Sequence, residues 1–239
     1  MDEPSLSAEE IDRIEKTVQA VPNDASTALE IGFYDFRLSK VLGKKVDLVS
    51  IDLPRDVMSS GHKLAFADIQ RLPFKNDSFD ITVCTEVLEH LPEAVLQKGV
   101  QELQRVSRKY VLVTVPYKQR IWNEMFKCAN CGFVCNSMGH VNYMDENKLI
   151  ELFRNASMER IEFLSTIENY APDLLYNCAN KLGNSWCDFT FGTCPNCNQS
   201  SAAVKPNFVG HVLRRIIWRA ELVSGVRPAW ILALFKTTK

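Results

Sequence analysis

Three short apolar segments, each ending in or beside an acidic residue or a glycine, most constrain how this chain can fold. They lie at 28–32, 49–52 and 67–74, and the last leads into a further apolar run at 79–84. Each run fits a buried parallel strand, and open α/β sheets bind ligands at the carboxyl ends of such strands. The sequence therefore predicts a βαβ sheet that binds a nucleoside cofactor.

The size and charge of the chain limit the other possibilities. With 239 residues, 46% of them hydrophobic, the chain can bury one α/β core with a small appendage. A net charge of −1 argues against a globally basic nucleic-acid binder, although it leaves a local basic patch open. The acidic N-terminus has no signal-peptide pattern, and no apolar run reaches the roughly 20 residues of a spanning helix, so a cytoplasmic location is predicted.

The alternation of patterns along the chain predicts a doubly wound, mostly parallel sheet. Ser7 and Glu10 form a capping box that opens an N-terminal helix within residues 1–22. We predict strands at 27–31, 46–51, 62–66, 79–84, 109–115, 158–166 and 229–235, and helices at 35–42, 93–106, 145–155 and 212–223. The core is assigned to 23–117, 143–167 and 229–239, and two insertions to 118–142 and 168–228.

The ordered acidic residues and glycine resemble those of class I S-adenosylmethionine-dependent methyltransferases of the type-11 group. The resemblance implies a Rossmann-like, seven-stranded α/β sheet. It also implies that Glu30 and Gly32 approach the methionine part of the cofactor, that Asp52 binds the ribose hydroxyls, and that Asp68 and Ile69 contact adenine. A carboxylate suits a cis-diol because it can accept two charge-assisted hydrogen bonds.

Two aromatic residues depart from the pattern of that family. Tyr34 and Phe36 stand where further glycines usually let the backbone approach the ligand. These side chains either point away from the cleft or fill it, and in the second case the chain is a non-catalytic, methyltransferase-like binding module.

The segment after the fourth strand carries polar residues toward the expected acceptor site. In a helical turn Glu86, Glu89 and His90 share one face. They resemble the E-x-x-E-H signature with which small-RNA 2′-O-methyltransferases hold a divalent cation, and His140 could complete the site. In the alternative reading the glutamates are exposed and bind no metal. His140, His90 and Glu86 are the candidate catalytic residues, because the histidines can accept a proton near neutral pH.

Two C-x-x-C pairs indicate a zinc site. Cys128, Cys131, Cys194 and Cys197 can supply four thiolates in a reducing compartment. We expect this zinc ion to be structural and to join the two insertions. Cys135 or Cys187 are alternative ligands.

A helical segment near residue 212 is the last feature with two interpretations. Basic residues there surround an apolar stripe, which either binds a phosphate-bearing or lipid acceptor or is buried in the fold. The basic residues are His211, Arg214, Arg215, Arg219 and Arg227, and the stripe comprises Val212, Ile216, Ile217 and Val223.

From these patterns we predict S-adenosylmethionine-dependent O-methylation of a small-molecule or carbohydrate-like acceptor. The alternatives are metal-assisted 2′-O-methylation of RNA ribose and the non-catalytic binding module.

Overall fold

The computed structural model describes residues 7–33, 36–53, 63–190, 192–200 and 204–238. The chain divides into two compact units. The first unit comprises Met1–Tyr117, Met144–Ser165 and Pro228–Lys239, and the second comprises Lys118–Tyr143 and Thr166–Arg227.

Among the described residues, the first unit contains four α-helices and, with two strands that run on into the second unit, a seven-stranded sheet. Its helices are α1 (Ala8–Ala20), α2 (Arg37–Leu42), α3 (Glu93–Val106) and α4 (Glu146–Leu152). Its strands are β1 (Thr27–Ile31), β2 (Asp47–Asp52), β3 (Lys63–Phe66), β4 (Phe79–Thr85) and β5 (Ser107–Pro116). The two shared strands are β8 (Ala156–Glu168) and β9 (Val226–Thr237).

The order of the strands is β3-β2-β1-β4-β5-β9-β8. Neighbours from β3 to β5 run parallel, and β9 runs antiparallel to β5. The predicted class, a mostly parallel, doubly wound seven-stranded α/β sheet, is therefore confirmed.

Alternating side chains of the central strands bury both faces of this sheet. Leu29 and Ile31 of β1 belong to one core cluster, which includes the apolar side of α3. Ala28 belongs to a second cluster with Leu42 of α2 and Ala20 of α1. Because successive strand residues point to opposite faces, one strand serves both layers of helices.

The predicted capping box at the start of α1 is present. The Ser7 hydroxyl accepts a hydrogen bond from the Glu10 amide at 3.2 Å, and the Glu10 carboxylate accepts one from the Ser7 amide at 2.9 Å. Both unpaired donors at the helix start are thereby satisfied.

The second unit combines a small hairpin with a pair of helices. The hairpin joins β6 (Met125–Lys127) to β7 (Val134–Asn136), and the helices are α5 (Asp173–Gly183) and α6 (Phe208–Val223). The α6 helix begins four residues earlier than predicted, because the Asn207 side chain caps it by accepting a hydrogen bond from the Gly210 amide at 3.0 Å. No helix within the described ranges is long and apolar enough to cross a membrane.

Candidate cofactor site and metal centre

The ends of β1, β2 and β3 bring three predicted cofactor residues to one edge of the sheet. Ile31 lies opposite Ile51 in the parallel register, and the Gly32 amide donates to the Ile51 carbonyl at 2.9 Å. Asp52 follows directly, and its carbonyl accepts from the Ala67 amide at 3.0 Å, one residue before Asp68. These contacts place Gly32, Asp52 and Asp68 at the carboxyl ends of neighbouring strands.

This edge is also where the strand order reverses. From β1 the chain continues through β2 to β3 on one side, and then crosses to β4 and β5 on the other. Doubly wound sheets bind ligands in the crevice at such a switch point, because the connections leave in opposite directions there.

Gly32 is the residue whose identity the geometry requires most strictly. Its φ is +85°, a left-handed conformation that side-chain-bearing residues avoid. A Cβ atom here would lie 2.4 Å from Cγ2 of Val87. Any substitution would therefore strain the backbone and force the turn after β1 away from Val87.

The predicted acidic residues differ in their surroundings. Glu30 is buried, and its carboxylate accepts hydrogen bonds from the hydroxyls of Ser39 and Ser50, both at 2.5 Å. Glu30 thus links β1 to α2 and β2. Asp52 is partly exposed, with Oδ1 accepting from the Leu53 amide at 2.7 Å.

Asp68 and Ile69 form the third part of this edge. Asp68 is exposed, and its carboxylate accepts from the backbone and side-chain amides of Gln70 at 2.9 and 3.0 Å. The Ile69 side chain is buried in the core. Only the backbone of Ile69 is consequently placed to meet a ligand.

Phe36 is one of the two aromatic residues that depart from the family pattern, and the structure describes its position. This residue precedes α2 with a φ of +60°, and its ring stacks on Phe33 with the centroids 4.9 Å apart. Tyr34 lies outside the described residues.

Glu86 follows β4 and is held by two residues that sequence reasoning missed. Its Oε2 accepts from Nε1 of Trp230 at 2.9 Å and pairs with Arg13 at 3.1 Å. The Arg13 guanidinium also lies over the Trp230 ring, 4.6 Å from its centroid. No local pattern could reveal this cluster, because Trp230 and Glu86 are 144 positions apart.

Glu89 is the most unusual carboxylate of the first unit. It is 1% exposed, and neither of its oxygens has a hydrogen-bond partner within the described residues. Burial raises the pKa of Glu89 well above its ordinary value, and the Glu86 carboxylate raises it further. The alternative expectation of exposed glutamates is therefore wrong for Glu89. The neighbouring His90 is partly exposed.

His140 belongs to the second unit and is 4% exposed. Its Nδ1 forms a short hydrogen bond with Oε1 of Gln119, whose Nε2 donates to Glu124 at 2.7 Å. Because Glu124 fixes the orientation of the amide, Nδ1 is the donor in this bond, and the matching neutral ring is the tautomer protonated on Nδ1. In that tautomer Nε2 is the basic nitrogen, as in a general base or a metal ligand. Gln119 was not singled out in the sequence.

The four predicted cysteines come together in the second unit. Their sulfur atoms all lie within 4.8 Å of one another; Cys128 is 3.9 Å from Cys197, and Cys131 is 3.7 Å from Cys194. A disulfide needs about 2.05 Å, whereas tetrahedral zinc with bonds of about 2.3 Å separates its sulfurs by about 3.8 Å. The spacing fits a zinc ion, and Cys135 and Cys187 lie outside the group.

An asparagine in each cysteine turn donates a hydrogen bond to a sulfur atom of the other turn. The Asn130 amide donates to the sulfur of Cys197 at 3.5 Å, and the Asn196 amide donates to that of Cys131 at 3.6 Å. Hydrogen bonds from the Phe133 backbone and from Asn196 lower the pKa of Cys131 to about 6. These donors favour thiolates, the form that binds metal.

The fold has counterparts among solved structures. A proposed methyltransferase from Bacillus halodurans is similar with a TM-score of 0.58 and 11% identity, covering 95% of this chain and 99% of that one. The N-methyltransferase NodS from Bradyrhizobium japonicum, in complex with S-adenosyl-L-homocysteine, has a TM-score of 0.53 and 14% identity over 98% and 89%. The [4+2]-cyclase SpnF has a TM-score of 0.56 and 11% identity over 99% and 84%. Because a cyclase shares the fold, the fold alone does not fix the reaction.

The strand order gives the chain a Rossmann-like fold, which it shares with S-adenosylmethionine-dependent methyltransferases such as NodS. Residues 29–115 match the type-11 family model described as a methyltransferase domain. The predicted resemblance and enzyme class are thereby confirmed. None of the curated proteins matches the sequence.

Proposed function

We propose that the protein transfers the methyl group of S-adenosylmethionine to an oxygen of a small-molecule or carbohydrate-like acceptor. The observation that carries this proposal is the alignment of Gly32, Asp52 and Asp68 at the switch point of the sheet. The residues fit the cofactor, because Gly32 makes the tight turn after β1 without a side chain and Asp52 offers a partly exposed carboxylate.

In this proposal each residue of the edge has a separate task. Asp52 binds the ribose hydroxyls. Asp68 and the Ile69 backbone bind adenine, and Asp68 gives up its hydrogen bonds to Gln70 when adenine is bound. Glu30 keeps the end of β1 in place through Ser39 and Ser50. The bound cofactor supplies an electrophilic methyl group on a sulfonium, so the protein mainly aligns the acceptor.

An oxygen acceptor must lose a proton, and three residues remain candidates for this step. Glu86 lies directly after β4 and is oriented by Arg13 and Trp230. His90 is partly exposed, and His140 donates from Nδ1 to Gln119. We propose that one of these three residues accepts the proton of the acceptor hydroxyl.

Calorimetric titration with S-adenosylmethionine and its demethylated product tests the cofactor site. We expect micromolar binding that is lost in Asp52→Ala, because the ribose loses its carboxylate. Asp47→Ala, at the other end of β2, serves as the matched control and should bind normally. A folded wild-type protein that binds neither compound would contradict the proposal and favour the non-catalytic binding module.

We also propose that Cys128, Cys131, Cys194 and Cys197 bind a structural zinc ion. The sulfur spacing and the two asparagine donors support this assignment. Cys194→Ser should reduce both zinc content and melting temperature, because the three remaining thiolates leave the tetrahedral coordination of zinc incomplete. Cys178→Ser on α5 is the control and should retain zinc. A full zinc complement in Cys194→Ser would overturn the assignment.

A second candidate function, metal-assisted methylation of an RNA ribose, is favoured by the two unpartnered oxygens of Glu89. A buried carboxylate that lacks donors is a suitable ligand for a divalent cation such as Mn²⁺. In this case Mn²⁺ should raise the melting temperature of the zinc-loaded wild type and not that of Glu89→Gln. An equal response of both proteins would remove Glu89 from the metal site and with it the support for this function.

A further inference from the structure

Helix α6 presents an apolar stripe that the fold does not cover. Phe208, Val212, Ile216 and Val223 recur at spacings that place them on one side of the helix. They are 82%, 41%, 44% and 85% exposed. Single exposed apolar side chains are common on protein surfaces. Four of them on one side of a helix are unusual and indicate a surface that binds a partner.

The stripe is separate from the core of the second unit. On the other side of α6, Ile217 is buried, and Leu213 and Ala220 pack with it against α5. The sequence-based assignment of Ile217 to the same stripe is therefore wrong. Helix α6 thus has one apolar side for its own fold and another directed to solvent.

Positive charges border the exposed stripe. Arg215 is exposed on one flank of the stripe, where His211 and Trp218 follow it, and the exposed Arg219 lies between Ile216 and Val223 along the stripe. The single acidic residue of α6, Glu221, turns inward and accepts a hydrogen bond from the Tyr176 hydroxyl. No carboxylate of the helix consequently opposes an anion approaching this face.

Two other arginines predicted for this surface have structural partners instead. Arg214 donates to the Ser185 hydroxyl and to the Trp186 carbonyl at 2.5 and 2.7 Å. Arg227 donates to the Tyr170 hydroxyl at 2.7 Å and lies over its ring. The charge available to a partner is therefore concentrated on Arg215 and Arg219.

We propose that this face of α6 binds the surface of a membrane containing anionic lipids. Its apolar stripe would enter the boundary between headgroups and acyl chains, and the two arginines would contact the phosphates. An amphipathic helix with arginines beside large apolar side chains has the chemistry of interfacial binding. The net charge of the chain is −1, so this local patch supplies the attraction. A second copy of the chain would bring the same arginines together, and their repulsion disfavours that occupant.

Vesicle sedimentation tests the proposal with the full zinc-loaded chain. We expect binding to vesicles of phosphatidylcholine mixed with phosphatidylglycerol, and at least tenfold weaker binding to phosphatidylcholine alone. Arg215→Glu combined with Arg219→Glu should weaken binding to the mixed vesicles at least tenfold, because the attraction becomes repulsion. Phe208→Ser combined with Val223→Ser should cause a comparable loss at low salt. All four side chains are exposed, and circular dichroism would verify the fold.

The control carries the same charge reversal on another surface. Arg71 and Arg154 are exposed residues of the first unit, and the double reversal Arg71→Glu and Arg154→Glu should bind mixed vesicles within twofold of wild type. Equal binding to both kinds of vesicle would overturn the proposal. So would a vesicle-free dimer, seen by analytical ultracentrifugation, that Phe208→Ser with Val223→Ser converts to monomers.

Discussion

The buried carboxylate of Asp80 ties the beginning of β4 to the beginning of β1. Its Oδ2 accepts from the Ser26 amide and hydroxyl at 2.9 and 2.8 Å. Lys109 lies 3.6 Å from Oδ1. Burial opposes ionisation, but these hydrogen bonds and the lysine charge outweigh it and hold the pKa of Asp80 at about 2.

We predict that Asp80→Asn lowers the free energy of unfolding by about 2 kcal/mol at pH 7, from the difference between the ordinary pKa and about 2. Because the folded-state pKa is depressed, this stabilisation is complete above the ordinary value of 3.8 and is lost as pH falls toward about 2. Urea denaturation at several pH values measures it. Asp24→Asn is the control, since that exposed carboxylate also contacts Lys109 and should change stability by under about 0.5 kcal/mol. Equal losses in both variants would contradict the prediction.

The orientation of Gln119 leads to a prediction about the protonated nitrogen of His140. Wild type labelled with ¹⁵N-histidine should show His140 with its proton on Nδ1, whereas free neutral imidazole favours Nε2. Gln119→Leu removes the acceptor and should restore the ordinary tautomer. The chain has four histidines, so His140→Asn assigns the signal and the exposed His211 is an internal control. An Nε2-protonated ring in wild type would show that the amide is oriented the other way.

The role of a residue can be predicted from the sequence when its neighbours along the chain determine that role. Gly32 directly follows an apolar strand, and each cysteine pair forms its own tight turn, so local spacing was informative. The partners of Glu86 and the donors to Asp80 come from distant strands and from α1. Their side-chain contacts depend on tertiary packing, which local patterns do not contain.

Close contact between two glycines determines how α5 packs against α6. A Cβ on Gly210 would lie 2.2 Å from the carbonyl oxygen of Gly183, so the two backbones nearly touch. Gly210→Ala should therefore lower the free energy of unfolding by about 2 kcal/mol, despite the better helix propensity of alanine. Chemical denaturation measures this change.

Gly99→Ala in α3 is the matched control. A Cβ there would meet only side-chain atoms of Ile69, the nearest at 3.2 Å, and these can shift. We expect a change of less than about 1 kcal/mol in either direction. A smaller loss in Gly210→Ala than in Gly99→Ala would show that α5 and α6 separate easily.

The bounds of a strand with a clearly delimited apolar run were predicted more accurately than the start of a helix that a capping side chain determines. The prediction for β1 at 27–31 agrees with the observed strand, because its apolar run is bounded on both sides. Helix α6 begins at Phe208 and not at Val212, since the Asn207 cap and not the apolar pattern sets its start.

The two units have separate means of stabilisation. The first buries two large clusters, one on each face of its sheet. In the second, the cluster at the cysteines has three fully buried members among the described residues, which are Phe126, Cys128 and Cys194. So small a cluster offsets little of the conformational entropy of the two turns, and the proposed zinc ion would supply a further contribution.

Removal of zinc should consequently loosen the second unit and leave the first intact. After chelation we expect fast hydrogen exchange at the amides of Gly132 and Asn198, which donate to Cys128 and Cys194 carbonyls at 3.0 and 2.9 Å. Amides of β1 and β4 should keep their protection, because their bonds belong to the large sheet. Mass spectrometry of peptides measures both regions in one sample, and added zinc should restore the slow exchange. Unchanged exchange at the cysteine turns after complete chelation would show that hydrogen bonds and packing alone hold them.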